Sequence, residues 1–187
     1  MTPNPFTDHT PDSAPDGSRR LMEATERHLG RLPAAVARLA ESPQLLEGFQ
    51  RLSGLFEAST LDPLAREVVI LTVATRNACH VCVAMHTARL DAMGAGPDLV
   101  AALREGRVLD DARLEAVRAF ALHVLATAGE TDPEELRAFL AHGHTVRNAL
   151  EVVLGIGAYT LSTLANRMTR APLDEELAPY AWDGAAA

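Results

Sequence analysis

Cys79, Cys82 and His86 stand at spacing i, i+3, i+7 in the stretch "NACHVCVAMHTARL", residues 77–90, and these two cysteines are the only ones in the chain. On a helix the three side chains share one face. A break near Asn77 would put Cys79 in the first turn of a new helix, where the positive end of the helix dipole lowers a thiol's pKa. His86, one turn beyond Cys82, can take the proton from that thiol or hold a water that does. A thiolate attacks peroxides and disulfides, and a second thiol a turn away can trap the sulfenic acid as a disulfide. Glu67 lies twelve residues before Cys79, as a lone acid ahead of Val68, Val69, Ile70 and Leu71. A half-buried carboxylate there, its pKa raised, suits a proton relay; it equally suits an ordinary ion pair with Arg66 or Arg76. His80 points about 100° away from Cys79 on a helix and reads as a surface or packing histidine.

Two further readings of the cysteines stand beside the redox one. Free cysteines are common small core residues. A Cys-Cys-His set can also bind zinc if a fourth ligand is found, and "AHGHT" offers His142 and His144.

The elements that must position these residues carry clear start signals. Ser42-Pro43, Asp62-Pro63, Gly96-Pro97 and Asp132-Pro133 place proline where its missing N–H costs nothing, so helices are expected to begin near Pro43, Pro63, Pro97 and Pro133. Others are expected near Ser18 and Asp110. The helix from Pro63 should run to about Arg76. Leu114, Val117, Ala121, Val124 and Leu125 form an apolar stripe at helical spacing. Leu150, Leu154, Gly157, Leu161, Leu164 and Met168 keep a three- and four-residue rhythm, and Val152, Val153 and Ile156 make that segment apolar on its other sides, which predicts a central, buried helix. Gly155 and Gly157 within it have no preceding strand and no third glycine, so they point to close helix packing and not to a phosphate loop.

Composition agrees with an all-α domain. Alanine and leucine recur, and aromatics are few (one Trp, two Tyr, five Phe) in 187 residues. The net charge of −8 argues against a nucleic-acid surface. All basic side chains are arginine, which excludes Schiff-base chemistry at a lysine. "MTPNPFTDHTPDSAPDG" has no apolar h-region of a signal peptide, and no uninterrupted apolar run reaches membrane-spanning length. The expected organisation is a disordered arm over 1–17, one all-α domain over 18–180 and a flexible tail over 181–187. The expected location is the cytoplasm, where a close Cys pair is more often redox-active or metal-binding than structural.

The pattern Glu67, eleven residues, Cys79-x-x-Cys82, three residues, His86 resembles the active-site motif of the alkylhydroperoxidase D-like, carboxymuconolactone decarboxylase-like superfamily. "RLPAAVARLAESPQLLEGFQRLSGLF" is similar to the N-terminal helices of its peroxidase-related members. "EVVLGIGAYTLSTLANRMTRAPLDEEL" is similar to their C-terminal helix and the Pro-Leu-Asp beyond it. The likeness covers residues 32–177. Founding members carry a histidine directly before the second cysteine, where this chain has Val81. Relatives often have lysine in place of Tyr159 and histidine in place of Arg167, and the true decarboxylases generally lack the Cys pair.

The resemblance implies an all-α, AhpD-like helical bundle that assembles as homotrimers or hexamers, with active sites near subunit interfaces. It implies reduction of hydroperoxides through a redox-active Cys79–Cys82 disulfide recycled by a dithiol reductant or adaptor protein, with no other cofactor and no metal. Cys82 would attack, activated by His86; Cys79 would resolve; Glu67 would relay protons. The alternatives are a non-catalytic redox-sensing or metal-binding helical protein, or a decarboxylase-type enzyme. The apolar content, 48% hydrophobic against 22% charged, also favours self-association, because one small core is hard pressed to hide it.

Overall fold

The structure is a computed structural model and describes residues 4–184. Among the described residues nine α-helices follow in order: α1 Asp16–Leu29, α2 Ala34–Leu39, α3 Pro43–Glu57, α4 Pro63–Arg76, α5 His80–Ala92, α6 Pro97–Glu105, α7 Ala112–Thr127, α8 Pro133–Ala141 and α9 Val146–Thr169; a 3-10 turn spans Glu175–Tyr180. The starts fall where proline and its preceding cap placed them. Ser42 accepts a hydrogen bond from the Leu45 amide, Asp62 from Ala65 and Asp132 from Glu134. Thr145 and Asn148 cap α9 reciprocally.

The core is built around α4. Every residue from Glu67 to Ala74 is buried, which explains why this stretch shows no amphipathic period: α5, α6, α7 and α9 cover it from all sides. Phe56, Ile70, Leu71, Leu90, Leu103 and Phe139 are the largest fully buried side chains of this main core. A second, smaller cluster gathers Met22, Leu39, Leu46 and Ala165 beneath α1 and α2.

α9 is central, but its apolar rhythm is not what it buries. Leu150, Leu164 and Met168 face outward, 73%, 54% and 64% exposed. The buried side instead carries Asn148, Ala149, Val152, Gly155, Tyr159, Ser162 and Asn166. Small and polar residues let α9 lie close against α3 and α4. A Cβ on Gly155 would stand 2.6 Å from the Phe56 ring, so close packing holds there, whereas Gly157 faces away with nothing within 4 Å. By length and composition α9 could cross a membrane, although 61% of its most apolar window is buried inside the fold.

Part of the arm expected to be disordered lies against the body. Asn4 donates to the Thr169 carbonyl, and Arg38 pairs with Asp8 at 2.6 Å. At the other end Trp182 donates to the Arg104 carbonyl, and the Tyr180 hydroxyl to Asp91. Residues 1–3 and 185–187 lie outside the described residues.

Candidate active site

The cysteine segment begins with a helix-to-helix turn that the backbone defines. Asn77 ends α4, Ala78 takes a left-handed conformation at φ 50°, and Cys79 is the N-cap of α5. The Cys79 amide donates to the Ala74 carbonyl and the Ala78 amide to Thr75, a Schellman closure with alanine where glycine is usual. Cys79 thus belongs to both helices. Its sulfur sits at the positive end of α5, and α5 carries Cys82 and His86 along its buried side.

All four residues singled out in the sequence are shut off from solvent: Glu67 and Cys79 are 0% exposed, Cys82 4% and His86 6%. Both thiols are free. The Cys79 thiol is held down to about 7. The Cys82 thiol donating to it is the main cause; burial opposes, and the Cys82 amide, the Asn166 side chain and the Val81 amide add to the lowering. The Cys82 thiol moves the other way, well above its ordinary value. Its S–H donates a hydrogen bond to the Cys79 sulfur, it is buried, and on ionising it would bear a second negative charge beside the first. The resting charge therefore lies on Cys79, at the helix terminus.

Glu67 meets His86, with Oε2 2.7 Å from Nδ1. Its other oxygen lies 2.9 Å from Arg89 Nε, an ion pair whose angle does not make a hydrogen bond. Arg89 goes on to Glu57 at 2.8 Å. Glu67 therefore pairs with neither Arg66 nor Arg76, the ordinary partners its spacing allowed. A carboxylate on Nδ1 fixes the tautomer, with Nδ1 as donor and Nε2 left as the proton-accepting nitrogen. The His86 ring meets the Tyr159 ring edge-on at 5.2 Å, and Phe49 and Phe56 pack on Tyr159 in turn. Burial pushes the Tyr159 hydroxyl up to about 12, with the Ser53 hydrogen bond opposing and the negative charges of Glu67 and Glu57 adding. It stays a neutral phenol.

The direct partners of Cys82 come from α9 and not from His86. Ser162 Oγ lies 3.7 Å from its sulfur and Asn166 Nδ2 3.4 Å. The same helix braces the turn: Asn77 donates to Thr163, and Arg167 donates to the Asn77 carbonyl at 2.6 Å. Sequence reasoning does not find Arg89 or Ser162. The signals are present as Arg89 three residues after His86, and as Ser162 and Asn166 four apart on α9.

His142 and His144 do not join the cysteines. His144 bonds the Arg113 carbonyl and stacks on Phe139, and His142 bonds the Ala138 carbonyl. Among the described residues no cluster of three or more His, Cys, Asp or Glu side chains could hold a metal ion.

Residues 43–124, which contain the whole Glu67–His86 constellation, match the model of the carboxymuconolactone decarboxylase family. The fold is that of the alkylhydroperoxidase core. An uncharacterized peroxidase-related protein of Ralstonia eutropha JMP134, described as an alkylhydroperoxidase AhpD core, superposes with a TM-score of 0.81 at 20% identity, over 95% of this chain and 96% of that one. A peroxidase-related protein of Silicibacter sp. TM1040 gives 0.75 at 20% identity, over 95% and 96%. The debrominase Bmp8, in its C82A form with 2,3,4-tribromopyrrole, gives 0.73 at 16% identity, over 96% of each chain. No curated protein matches by sequence. The chain thus joins a segment similar to the carboxymuconolactone decarboxylase family to a fold shared with alkylhydroperoxidase-type proteins.

Proposed function

We propose that this protein is a thiol-dependent peroxidase that reduces hydroperoxides through a Cys79–Cys82 dithiol/disulfide cycle in the cytoplasm. The observation that carries this reading is the buried pair itself: one thiol charged, its neighbour protonated, beside a histidine whose tautomer a carboxylate fixes. The Cys79 thiolate attacks one peroxide oxygen; an S–O bond forms, the O–O bond breaks, and the departing alkoxide takes a proton to leave as alcohol. His86 Nε2 then receives the Cys82 proton through a bridging water, the two side chains not being in direct contact, as that sulfur attacks the sulfenic sulfur. The S–S bond forms, and hydroxide leaves and is protonated to water. Two electrons pass from the thiols to the peroxide, and an external dithiol or adaptor protein restores them. This order reverses the sequence-based expectation that Cys82 attacks, because the hydrogen bond from the Cys82 thiol favours charge on Cys79. Glu67 holds His86 in place throughout.

We further read the working form as a homotrimer or hexamer, in keeping with the superfamily resemblance. The test of function is steady-state turnover of alkyl hydroperoxides and hydrogen peroxide with a panel of dithiol donors. Turnover that disappears in both Cys79→Ser and Cys82→Ser supports the reading. Two thiols lost on peroxide treatment without turnover would make the protein a redox sensor. Stoichiometric zinc in the purified protein would favour the metal-binding alternative. Reduction of 2,3,4-tribromopyrrole in preference to peroxide would move the substrate class toward that of the debrominase.

A further inference from the structure

We infer that the outward face of α9 is a twofold interface that pairs two copies of this chain antiparallel, with Gly157 on the axis. The face is a seam of Val146, Leu150, Val153, Gly157, Leu161, Leu164 and Met168. Five of these are large side chains left exposed, from Val153 at 46% to Leu150 at 73%. The spacing runs 4, 3, 4, 4, 3, 4, an eleven-residue repeat that stays on one face of a nearly straight helix. It also reads the same in both directions from Gly157. A dyad through Gly157 therefore sets Val153 against Leu161, Leu150 against Leu164 and Val146 against Met168, each contact made twice, as an isologous interface requires. Gly157 has no neighbour within 4 Å of where its Cβ would stand, so its bare backbone permits close approach by a second helix and serves no packing inside its own chain.

The two ends of the seam complement one another, and this fixes the orientation. Beside Val146 and Leu150 lies a hollow of about 360 Å³, walled by Phe120, Val124 and Leu136. At the other end Met168 projects as a flexible apolar knob. Antiparallel pairing puts Met168 of each copy at the hollow of the other; parallel pairing would set knob on knob and hollow on hollow. Charge agrees. Exposed Glu130, Asp132, Glu134 and Glu135 stand around the chain segments that wall the hollow, and exposed Arg167 and Arg170 flank Met168. Arg147 would come near Arg167 of the second copy, but each is already engaged in its own chain, with Glu151 and with the Asn77 carbonyl. The same helix carries Ser162 and Asn166 on its inner side, so the interface would brace the wall behind Cys82.

Sedimentation equilibrium of the full chain at micromolar concentration tests this independently of any activity. The wild type is expected as a hexamer, the one of the two assemblies read above that contains twofold axes, or as the dimer from which such a hexamer is built. Leu164→Lys and Leu150→Glu, both at exposed positions, should keep the circular dichroism spectrum and weaken the pairing at least 100-fold. Mixing the two variants should restore it, because only antiparallel pairing brings position 164 of one copy against position 150 of the other. A 20.0 kDa monomer, or a bare trimer, in the wild type would overturn the interface; so would an unchanged mass in both variants. Failure of the mixture to reassociate would overturn the antiparallel orientation. If either variant does not fold, Gly157→Arg gives the same readout from a position with free space in its own chain. A trimer alone would leave the peroxidase reading standing, and loss of turnover alone would leave the interface standing.

Discussion

Glu67 on α4 and His86 on α5 meet at 2.7 Å with almost no exposure to solvent. The contact joins two helices at the point where the Cys segment begins to do chemistry. Its value lies in orientation: with Nδ1 held by the carboxylate, the second ring nitrogen is the one free to move a proton. Glu67→Gln keeps the volume but lets the imidazole adopt the wrong tautomer. Peroxidase turnover should fall about 100-fold while both thiols remain countable in the reduced protein. Unchanged turnover would remove Glu67 from the mechanism.

The charge on Cys79 should be visible by titration. Ultraviolet thiolate absorbance should rise through a midpoint near 7, the value to which Cys79 is held down, and a second thiolate should form only far above it, since Cys82 is raised. An acid whose folded pKa lies below its unfolded value of 9.0 contributes stability fully above that unfolded value, and the contribution is lost as pH falls through 7. Mass spectrometry after substoichiometric peroxide should find the sulfenic acid on Cys79 in Cys82→Ser. A sulfenic acid found in Cys79→Ser alone would restore the opposite order.

Asn166 donates to Cys82 and also lowers Cys79. Asn166→Ala removes that donor, so the first thiolate midpoint should move upward and Cys79 alkylation at pH 7 should slow several-fold. An unmoved midpoint would leave Asn166 a packing residue.

Ala78 at φ 50° holds a conformation that costs an L-residue about 1–2 kcal/mol. Ala78→Gly relieves this and loosens the unfolded chain, so a net gain of about 0.5–1 kcal/mol is expected. The urea midpoint should rise with an unchanged slope. A fall in the midpoint would mean that the Ala78 methyl packs usefully.

Gly155→Ala should act in the other direction. Its new Cβ would meet the Phe56 ring at 2.6 Å and Val69 Cγ1 at 3.0 Å, an overpacking cost of about 1–3 kcal/mol. Thermal unfolding measures it, and equal stability would show that Phe56 can turn aside.

What the sequence determined is local. Proline after Ser42, Asp62 or Asp132 fixes where helices start, because cap and missing N–H act within one turn. The break after Arg76 and the shared face of Cys79, Cys82 and His86 follow from short-range backbone geometry. The Glu67–Cys79–Cys82–His86 spacing carried the superfamily resemblance, and residues 43–124 match one of its families. Tertiary structure decided the rest. Whether Glu67 pairs with Arg66, Arg76 or His86 depends on how α4 crosses α5, which no spacing encodes. Which side of α9 is buried was decided by Phe56 and the Cys turn, which accept its small and polar face and turn its apolar stripe outward. Nor could sequence apportion the charge between the thiols. That balance depends on partners from α9, eighty or more residues away along the chain, and on a burial that exists only once α5, α6, α7 and α9 have closed around α4.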